Sequence, residues 1–436
     1  MNLILLSGGS GRRLWPLSND VRSKQFIKIF KNESGDYESM VQRVYRQILE
    51  ADPDARVTIA TGEQQVSSIR NQLGERVAIS LEPARRDTFP AIALAAAYLK
   101  VVQGVGEDEP IVICPVDPHV DVSYFHALKR LSALAGEGRA NLSLLGITPT
   151  YPSEKYGYII PTAPGEVSPV STFKEKPDIK TAEQYLAQGA LWNGGVFAMK
   201  LGYILRRAHE LMAFSDYWDL FHHYAEQTKI SFDYAVVEHE TSIQVLRYTG
   251  AWADVGTWNT FAEAMSEPTV GRVTLDDTCE NLHVINELNI PVLCMGCRDM
   301  VVAASNDGIL VADKHQSSFI KPYADQLEQQ VMFAEKSWGS FTVLDVQEGS
   351  LTIRVVLNPG HRMHYHSHEH RDEVWTVASG SGTAIVDGME VPVKPGDVVT
   401  MEAGVRHTII AGETGLRLIE VQLGREISVQ DKQVYE

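Results

Sequence analysis

The hydrophobic pattern changes period along this chain, and that change limits the folds open to it. Up to residue 120 short apolar runs alternate with amphipathic stretches. Asn2-Leu3-Ile4-Leu5-Leu6 reads as a buried strand that breaks at Gly8-Gly9-Ser10-Gly11. Arg56 to Ala60, Val77 to Leu81 and Ile111 to Cys114 read as further strands. Met40 to Glu50, Glu63 to Leu73 and Pro90 to Val102 have helical spacing. Alternation at this spacing predicts an α/β unit, a parallel or mixed sheet covered by helices on both faces. From about residue 265 helical patterns give way to strand-like runs such as Pro291 to Leu293, Met300 to Ala303 and Ile309 to Ala312. A polar stretch with helical character, Ser317 to Lys336, reads as a linker. After Trp338 only short strands and turns remain, with turn signals at Asn358-Pro359-Gly360, Asp387-Gly388 and Lys394-Pro395-Gly396. That pattern predicts an all-β barrel or sandwich. The expected division is therefore 1–265, a strand-rich connecting region and linker over 266–335, and a barrel over 336–436.

Charge decides which partners suit such a chain. Lys and Arg number 39 against 56 Asp and Glu, a net −17. An acidic surface argues against nucleic acid or an anionic membrane as partner, because both need a basic face. Residues 1–31 run against the average. Arg12, Arg13, Arg22, Lys24, Lys28 and Lys31 face Asp20 as the one acid, six minus one, or +5. Glycines let a backbone approach a phosphate closely and turn its N–H groups toward it. A glycine loop directly after a strand, with clustered cations, suits a triphosphate, although its spacing fits neither the dinucleotide fingerprint nor the P-loop. Four cysteines make no disulfide framework, and no apolar run reaches the length of a membrane helix. With no basic leader before Ser7, these features lead to the expectation of a cytoplasmic protein.

The ordered landmarks then resemble a known family. Gly8-Gly9-Ser10-Gly11-Arg12-Arg13-Leu14-Trp15-Pro16-Leu17-Ser18 and Ser23-Lys24-Gln25-Phe26 resemble the opening signature of the mannose-1-phosphate guanylyltransferases, which are sugar-nucleotide pyrophosphorylases. Glu82-Pro83, Arg86-Asp87-Thr88, Pro115-Val116-Asp117, Tyr156-Gly157-Tyr158, Phe173-Lys174-Glu175-Lys176-Pro177, Leu191-Trp192-Asn193-Gly194-Gly195, Phe232-Asp233-Tyr234 and Trp252-Ala253-Asp254-Val255-Gly256 continue it in family order. The resemblance implies a Rossmann-like nucleotidyltransferase domain that forms GDP-mannose and pyrophosphate from GTP and mannose 1-phosphate. It implies that Asp117 and Asp254 hold Mg²⁺, a hard cation that takes oxygen ligands. It gives Arg13 and Lys24 to the triphosphate and Lys176 to the sugar phosphate. Gly8, Gly9, Gly11, Glu82, Arg86, Gly157, Glu175, Asn193 and Asp233 are the implied substrate contacts. Enzymes of this kind are often dimers or larger. Asp87 stands where the family has Asn, and Pro118 where it commonly has His. Another base or sugar 1-phosphate, and a silent nucleotide-sugar-binding regulator, are the competing expectations.

A second motif lies at the barrel end. Gly360-x5-His366-x-His368-x4-Glu373-x6-Gly380 is followed by Gly396-x5-Glu402-x-Gly404-x2-His407. Residues two apart on a strand share a face, so His366 and His368 can grip one ion. The pair of motifs resembles a cupin, which implies His366, His368, Glu373 and His407 as ligands to Zn²⁺ or another divalent transition metal. His361, His364 and His370 read as exposed or supporting. In bacterial enzymes of this kind the cupin resembles the type II phosphomannose isomerases, which implies interconversion of mannose 6-phosphate and fructose 6-phosphate; Val374 stands at a family histidine position. Cys294-Met295-Gly296-Cys297 forms no second cysteine pair and reads as a strand and turn with buried thiols.

Overall fold

A computed structural model describes residues 1–436 except 9, 10, 20, 328–330, 426, 429 and 436. It divides into two compact units. The first is Met1–Gly9, Gln25–Val66 and Glu75–Ser266; the second is Ser10–Lys24, Ser67–Gly74 and Glu267–Glu436.

The described residues of the first unit carry a nine-stranded mixed sheet. Its parallel half runs Ala78–Glu82, Arg56–Gly62, Asn2–Ser7, Pro110–Pro115. Leu191–Lys200 then enters antiparallel, followed by Leu142–Ile147, Ile243–Tyr248, Val167–Lys174 and Gly157–Pro161. Continuous apolar strands such as Ile111-Val112-Ile113-Cys114 are fully buried, as strands covered on both faces must be. The helix Met40–Ala51 starts at a capping box, Ser39 with Gln42, and turns Val41, Val44 and Ile48 inward. The helix Thr88–Val101 is so rich in alanine that almost every residue is buried, and it packs closely over the sheet. A short ladder outside the main sheet pairs Trp252–Asp254 with Pro118–Val120.

In the second unit parallel rungs come first. Thr269–Val270, His283–Asn286 and Met300–Ser305 pair in one stack, and Val273–Leu275 pairs with Val292–Cys294 in another. Gly308–Asp313 closes the first stack antiparallel. The stretch expected as a helical linker holds a single-turn helix, Lys321–Ala324, and ends in a strand. Phe333–Lys336 pairs with Gly339–Gln347 and so extends the barrel sheet. Four residues, half-buried at the ends and buried at Ala334 and Glu335, are too few to show a period in sequence.

The barrel itself is antiparallel and curled. Ser350–Leu357 pairs with the long strand His407–Gly424, which pairs in turn with Arg371–Val386. Runs expected as separate strands, Val374 to Val377 and Thr383 to Val386, are one strand of 16 residues. Ser379-Gly380-Ser381-Gly382 resembles a turn in sequence but is a pair of register shifts. Bulges of this kind bend a strand without ending it. Ile353, Trp375, Ile409 and Leu418 fill the interior.

The segment Ser10–Lys24 is fastened within the second unit. Arg22 makes a two-pronged ion pair with Glu287 (2.7 and 2.9 Å), and Asn19 donates to Asp307 (2.8 Å). The Ser305 hydroxyl donates to the Pro16 carbonyl (2.8 Å). Among the described residues no helix is long and apolar enough to cross a membrane.

Candidate functional site

The carboxyl ends of the parallel strands carry the first set of expected residues, where open α/β sheets bind ligands. Asn2–Ser7 delivers Gly8; Ala78–Glu82 ends on Glu82; Pro110–Pro115 leads to Asp117. Gly9 lies outside the described residues. Gly11 and Arg13 fall in the short 3-10 turn Gly11–Leu14, and Lys24 opens another, Lys24–Phe26. Gly11, Arg13 and Lys24 belong to the second unit. Beneath the end of the first strand lies a buried amide network that the sequence did not announce. Gln25 donates to the Ser7 hydroxyl and to Gln65 (3.0 Å each), and Thr61 donates to the Ser7 carbonyl (3.0 Å). Buried amides need partners, but Gln25 and Gln65 stand in polar stretches, Ser23-Lys24-Gln25 and Glu63-Gln64-Gln65, so no local signal marked them.

The two acids expected to share a metal come together through the short ladder. Asp254 is the register partner of Pro118, the residue that follows Asp117. Facing residues on an antiparallel pair are about 5 Å apart at Cα, so two carboxylates far apart in sequence become neighbours. Gly256 keeps room for them: a Cβ there would stand 3.1 Å from Asp254 Oδ1.

A second group gathers at the edge of the sheet, where Asn193 pairs with Gly157. Asn193 Nδ2 donates to Asp233 Oδ1 (2.7 Å), and Lys176 Nζ lies 2.8 Å from Glu175 Oε1. A side chain at Gly157 would overlap Glu175 Oε2 and crowd Asn193 Cβ at 3.3 Å, so glycine leaves the carboxylate its place. Glu175 Oε2 is buried with no hydrogen-bond partner among the described residues, an acceptor open to a ligand hydroxyl. Burial and then the charge of Glu175 push the Asp233 carboxyl up to about 7, against the Asn193 hydrogen bond. Burial pulls Lys176 down, but the bond and charge of Glu175 more than offset it and leave its pKa raised. Lys176 also sits at φ 43°, a left-handed conformation rare for a long side chain and found where structure over-determines it.

Beside this group stands an aromatic wall that sequence reasoning passed over. Trp192 and Trp252 each contact Tyr156, and Tyr151 meets Trp192 edge-on at 4.9 Å. Each tryptophan is within two residues of an expected site residue, Asn193 or Asp254, and that adjacency was legible. Glu82 and Arg86 form a separate cluster: Tyr224 donates to Glu82 Oε2 (3.0 Å), and Arg86 donates to the Ala225 carbonyl. Burial raises the Glu82 carboxyl.

In the barrel, His366, His368, Glu373 and His407 are all buried, with one ligand atom of each within 4.8 Å of the others. His366 on Tyr365–Ser367 is the register partner of His407. Each imidazole is held by its Nδ1. His366 Nδ1 donates to the His364 carbonyl (2.7 Å), His368 to the Asp431 carbonyl (2.6 Å) and His407 to the Val405 carbonyl (2.9 Å). A carbonyl only accepts, so the Nδ1 atoms carry the protons and the Nε2 lone pairs face the centre. There His407 Nε2 meets Glu373 Oε2 at 3.2 Å, lone pair against lone pair, with no proton to share. A cation resolves that clash, and three imidazoles with one carboxylate fit a divalent transition metal. Burial first, then nearby positive charge led by Lys432, lowers His366 to about 3, so it stays neutral and able to ligate.

Arg371 donates to Glu373 Oε1 (3.2 Å) and to His368 Nε2 (3.1 Å). Burial and the charge of Glu373 raise the Glu420 carboxyl, and burial lowers Lys432 nearby. Arg371, Glu420, Lys432 and Asp431 were not foreseen; the burial of Arg371 and Glu420 in the packed barrel is a property of the fold rather than of local spacing. His361, His364 and His370 are exposed.

Comparison with known proteins places this geometry. Residues 2–269 match the nucleotidyl transferase family, and residues 353–422 match the cupin domain. A Vibrio cholerae protein provisionally named mannose-1-phosphate guanylyltransferase is 30% identical over 98% of this chain and 98% of its own length. The mannose-1-phosphate guanylyltransferase of Escherichia coli K12 is 29% identical over 98% of this chain and 96% of its own. A crystal structure from Thermus thermophilus, described as a mannose-1-phosphate geranyltransferase, superposes with a TM-score of 0.62 at 27% identity, over 74% of this chain and 98% of that one.

Proposed function

We propose that the chain, which belongs to the nucleotidyl transferase family and within it to the mannose-1-phosphate guanylyltransferases, forms GDP-mannose and pyrophosphate from GTP and mannose 1-phosphate. The observation that carries this reading is the ladder that makes neighbours of Asp117 and Asp254. In-line attack of the sugar phosphate oxygen on the α-phosphorus needs no protein nucleophile, only alignment and charge neutralisation. Mg²⁺ held by Asp117 and Asp254 would supply that neutralisation and orient the phosphates. Arg13 and Lys24 take the triphosphate, with Gly8, Gly9 and Gly11 giving the backbone access. Lys176, its charge secured by Glu175, takes the sugar phosphate. Glu175, Asn193, Asp233 and the Gly157 backbone take the sugar hydroxyls, and Glu82 and Arg86 lie on the nucleotide side. A panel of nucleoside triphosphates and sugar 1-phosphates, read by pyrophosphate release, tests the assignment. GTP with mannose 1-phosphate should turn over fastest, and Asp254→Ala should lower kcat by roughly a hundredfold or more. Unchanged turnover in Asp254→Ala, or faster release with another pair, would overturn it.

A second activity is favoured by one observation, the buried Glu420 whose carboxyl feels the charge of Glu373. We propose that the barrel holds Zn²⁺ or another divalent transition metal and interconverts mannose 6-phosphate and fructose 6-phosphate. The metal would polarise the substrate carbonyl, while Glu420 offers a carboxyl able to exchange a proton near neutral pH. His366→Ala combined with His368→Ala should remove the metal and abolish isomerisation while leaving pyrophosphate release intact. Isomerisation that persists in the double variant would sink the reading.

A further inference from the structure

Outside both sites, three of the four cysteines converge in the parallel rungs of the second unit. In sequence they form Asp276-x2-Cys279-x14-Cys294-x2-Cys297. Two x2 turns separated by 14 residues come close to the zinc pattern of two such turns about 15–20 residues apart, with Asp in place of the first cysteine. The fold sets the two turns side by side. Leu275 is the parallel register partner of Cys294, Asp276 N donates to the Cys294 carbonyl (3.1 Å), and Glu280 N donates to the Cys297 carbonyl (3.0 Å). The two turns therefore run side by side, with Leu275 opposite Cys294 and Glu280 opposite Arg298.

Pairwise contacts link the side chains across the turns, with Cys279 Sγ also 3.5 Å from the Cys294 carbonyl. Cys279 Sγ lies 3.2 Å from Asp276 Oδ1, which also accepts the Gly296 N–H (3.1 Å). The Cys297 N–H points at the Cys279 sulfur, and the Cys294 and Cys297 thiols interact with each other. Gly296 at φ 65° supplies the left-handed position that lets the Cys-x-x-Cys turn reverse. Leu282, Val284 and Val302 back the cluster, while Cys279 and Cys297 remain half-exposed, so an ion could enter from solvent.

We infer that Asp276, Cys279, Cys294 and Cys297 form a second metal site, for a thiophilic divalent cation such as Zn²⁺. Three thiolates and a carboxylate are the donor set of a tetrahedral structural site. Without the ion the groups are held as hydrogen-bonded thiols, Cys297 donating to the Met295 carbonyl (3.5 Å). Coordination releases the three thiol protons to solvent and turns each sulfur inward about a single side-chain bond. Backbone N–H groups at Gly296 and Cys297 already face the negative cluster, as they do where turns hold thiolate metals. This would clip together two rungs whose ladder is three residues long.

Co²⁺ added to the full-length protein, reduced with a phosphine, tests the site. Only thiolate ligands give a near-ultraviolet sulfur-to-cobalt charge-transfer band, so the histidine site of the barrel does not contribute. The band should saturate at a single equivalent, vanish when Zn²⁺ is added, and persist in His366→Ala/His368→Ala. It should be lost in Cys294→Ser/Cys297→Ser, with pyrophosphate release within about twofold of the parent. Asp276→Asn, which keeps all three thiols, should weaken Co²⁺ binding about tenfold or more. No band in the parent protein, or a band that survives the double cysteine change, would overturn the assignment. So would a parent protein whose Cys294 and Cys297 stay linked as a disulfide under that reductant.

Discussion

At the scale of single residues, Asp233 shows how the group proposed to hold the sugar is charged. Burial first, then the Glu175 carboxylate, raises its pKa to about 7 from an ordinary value of 3.8. The folded protein therefore binds this proton more tightly than the unfolded chain does. The stabilisation is fully present below the unfolded value and is lost as pH climbs through about 7. At ~1.4 kcal/mol per pKa unit the charged form costs the fold a few kcal/mol. Asp233→Asn keeps the acceptor oxygen for Asn193 and removes the charge. Its melting temperature should match the parent near pH 4 and exceed it by a few degrees at pH 8; a less stable variant at pH 8 would refute this account. Of the residues involved, the family motifs named Asp233, Glu175 and Asn193. What no motif could give was their mutual distance, and with it the raised pKa. The same holds in the barrel: spacing pointed to His366 and His368, but the Nδ1 bonds to carbonyls of His364, Asp431 and Val405 exist only once those strands are folded.

Among the elements, the strands and helices of the first 120 residues were legible because long apolar runs and helical periodicity are local. The strand Arg371–Val386 was not, because its glycines at 380 and 382 carry the vocabulary of a turn. A Cβ at Gly380, at φ 79°, would stand 3.0 Å from the Gly415 carbonyl carbon of the neighbouring strand. These glycines mark close approach within a bulged sheet. Phe333–Lys336 was hidden for a different reason, since a four-residue strand inside a polar stretch has no period to detect. The ladder of Trp252–Asp254 with Pro118–Val120 sets Asp254 opposite the residue that follows Asp117, and so makes two isolated acids a candidate metal pair. The parallel rungs do the same for Asp276 and the three cysteines. Pairing between distant segments is the part of a fold that a single sequence conceals most completely.

At the scale of the whole molecule, the chain path matters more than the boundary near 266. Arg13 and Lys24 lie on a segment that folds with residues 267–436, held by Glu287, Ser305 and Asp307. A protein cut after Ser266 retains Asp117, Lys176, Asp233 and Asp254 and has an extensive core of its own. It loses Glu287, Ser305 and Asp307, the partners of Arg22, Pro16 and Asn19. Displacement of a binding group by about 1 Å can cost 10²-fold in rate. The truncated protein should therefore keep a folded circular dichroism spectrum yet release pyrophosphate roughly a hundredfold more slowly; full activity in that fragment would show the loop to be self-sufficient. The fastening of Arg22 also sets a rule of inheritance. A crossover between two related genes at the seam near 266 would take the loop from one parent and its anchors from the other. A mismatched hybrid would bury the Arg22 guanidinium with no carboxylate opposite, at a cost of several kcal/mol. Lineages can exchange the segment that carries Glu287, Ser305 and Asp307 freely only when the loop of Pro16, Asn19 and Arg22 travels with it, so two stretches of the gene nearly 300 codons apart are bound to descend together.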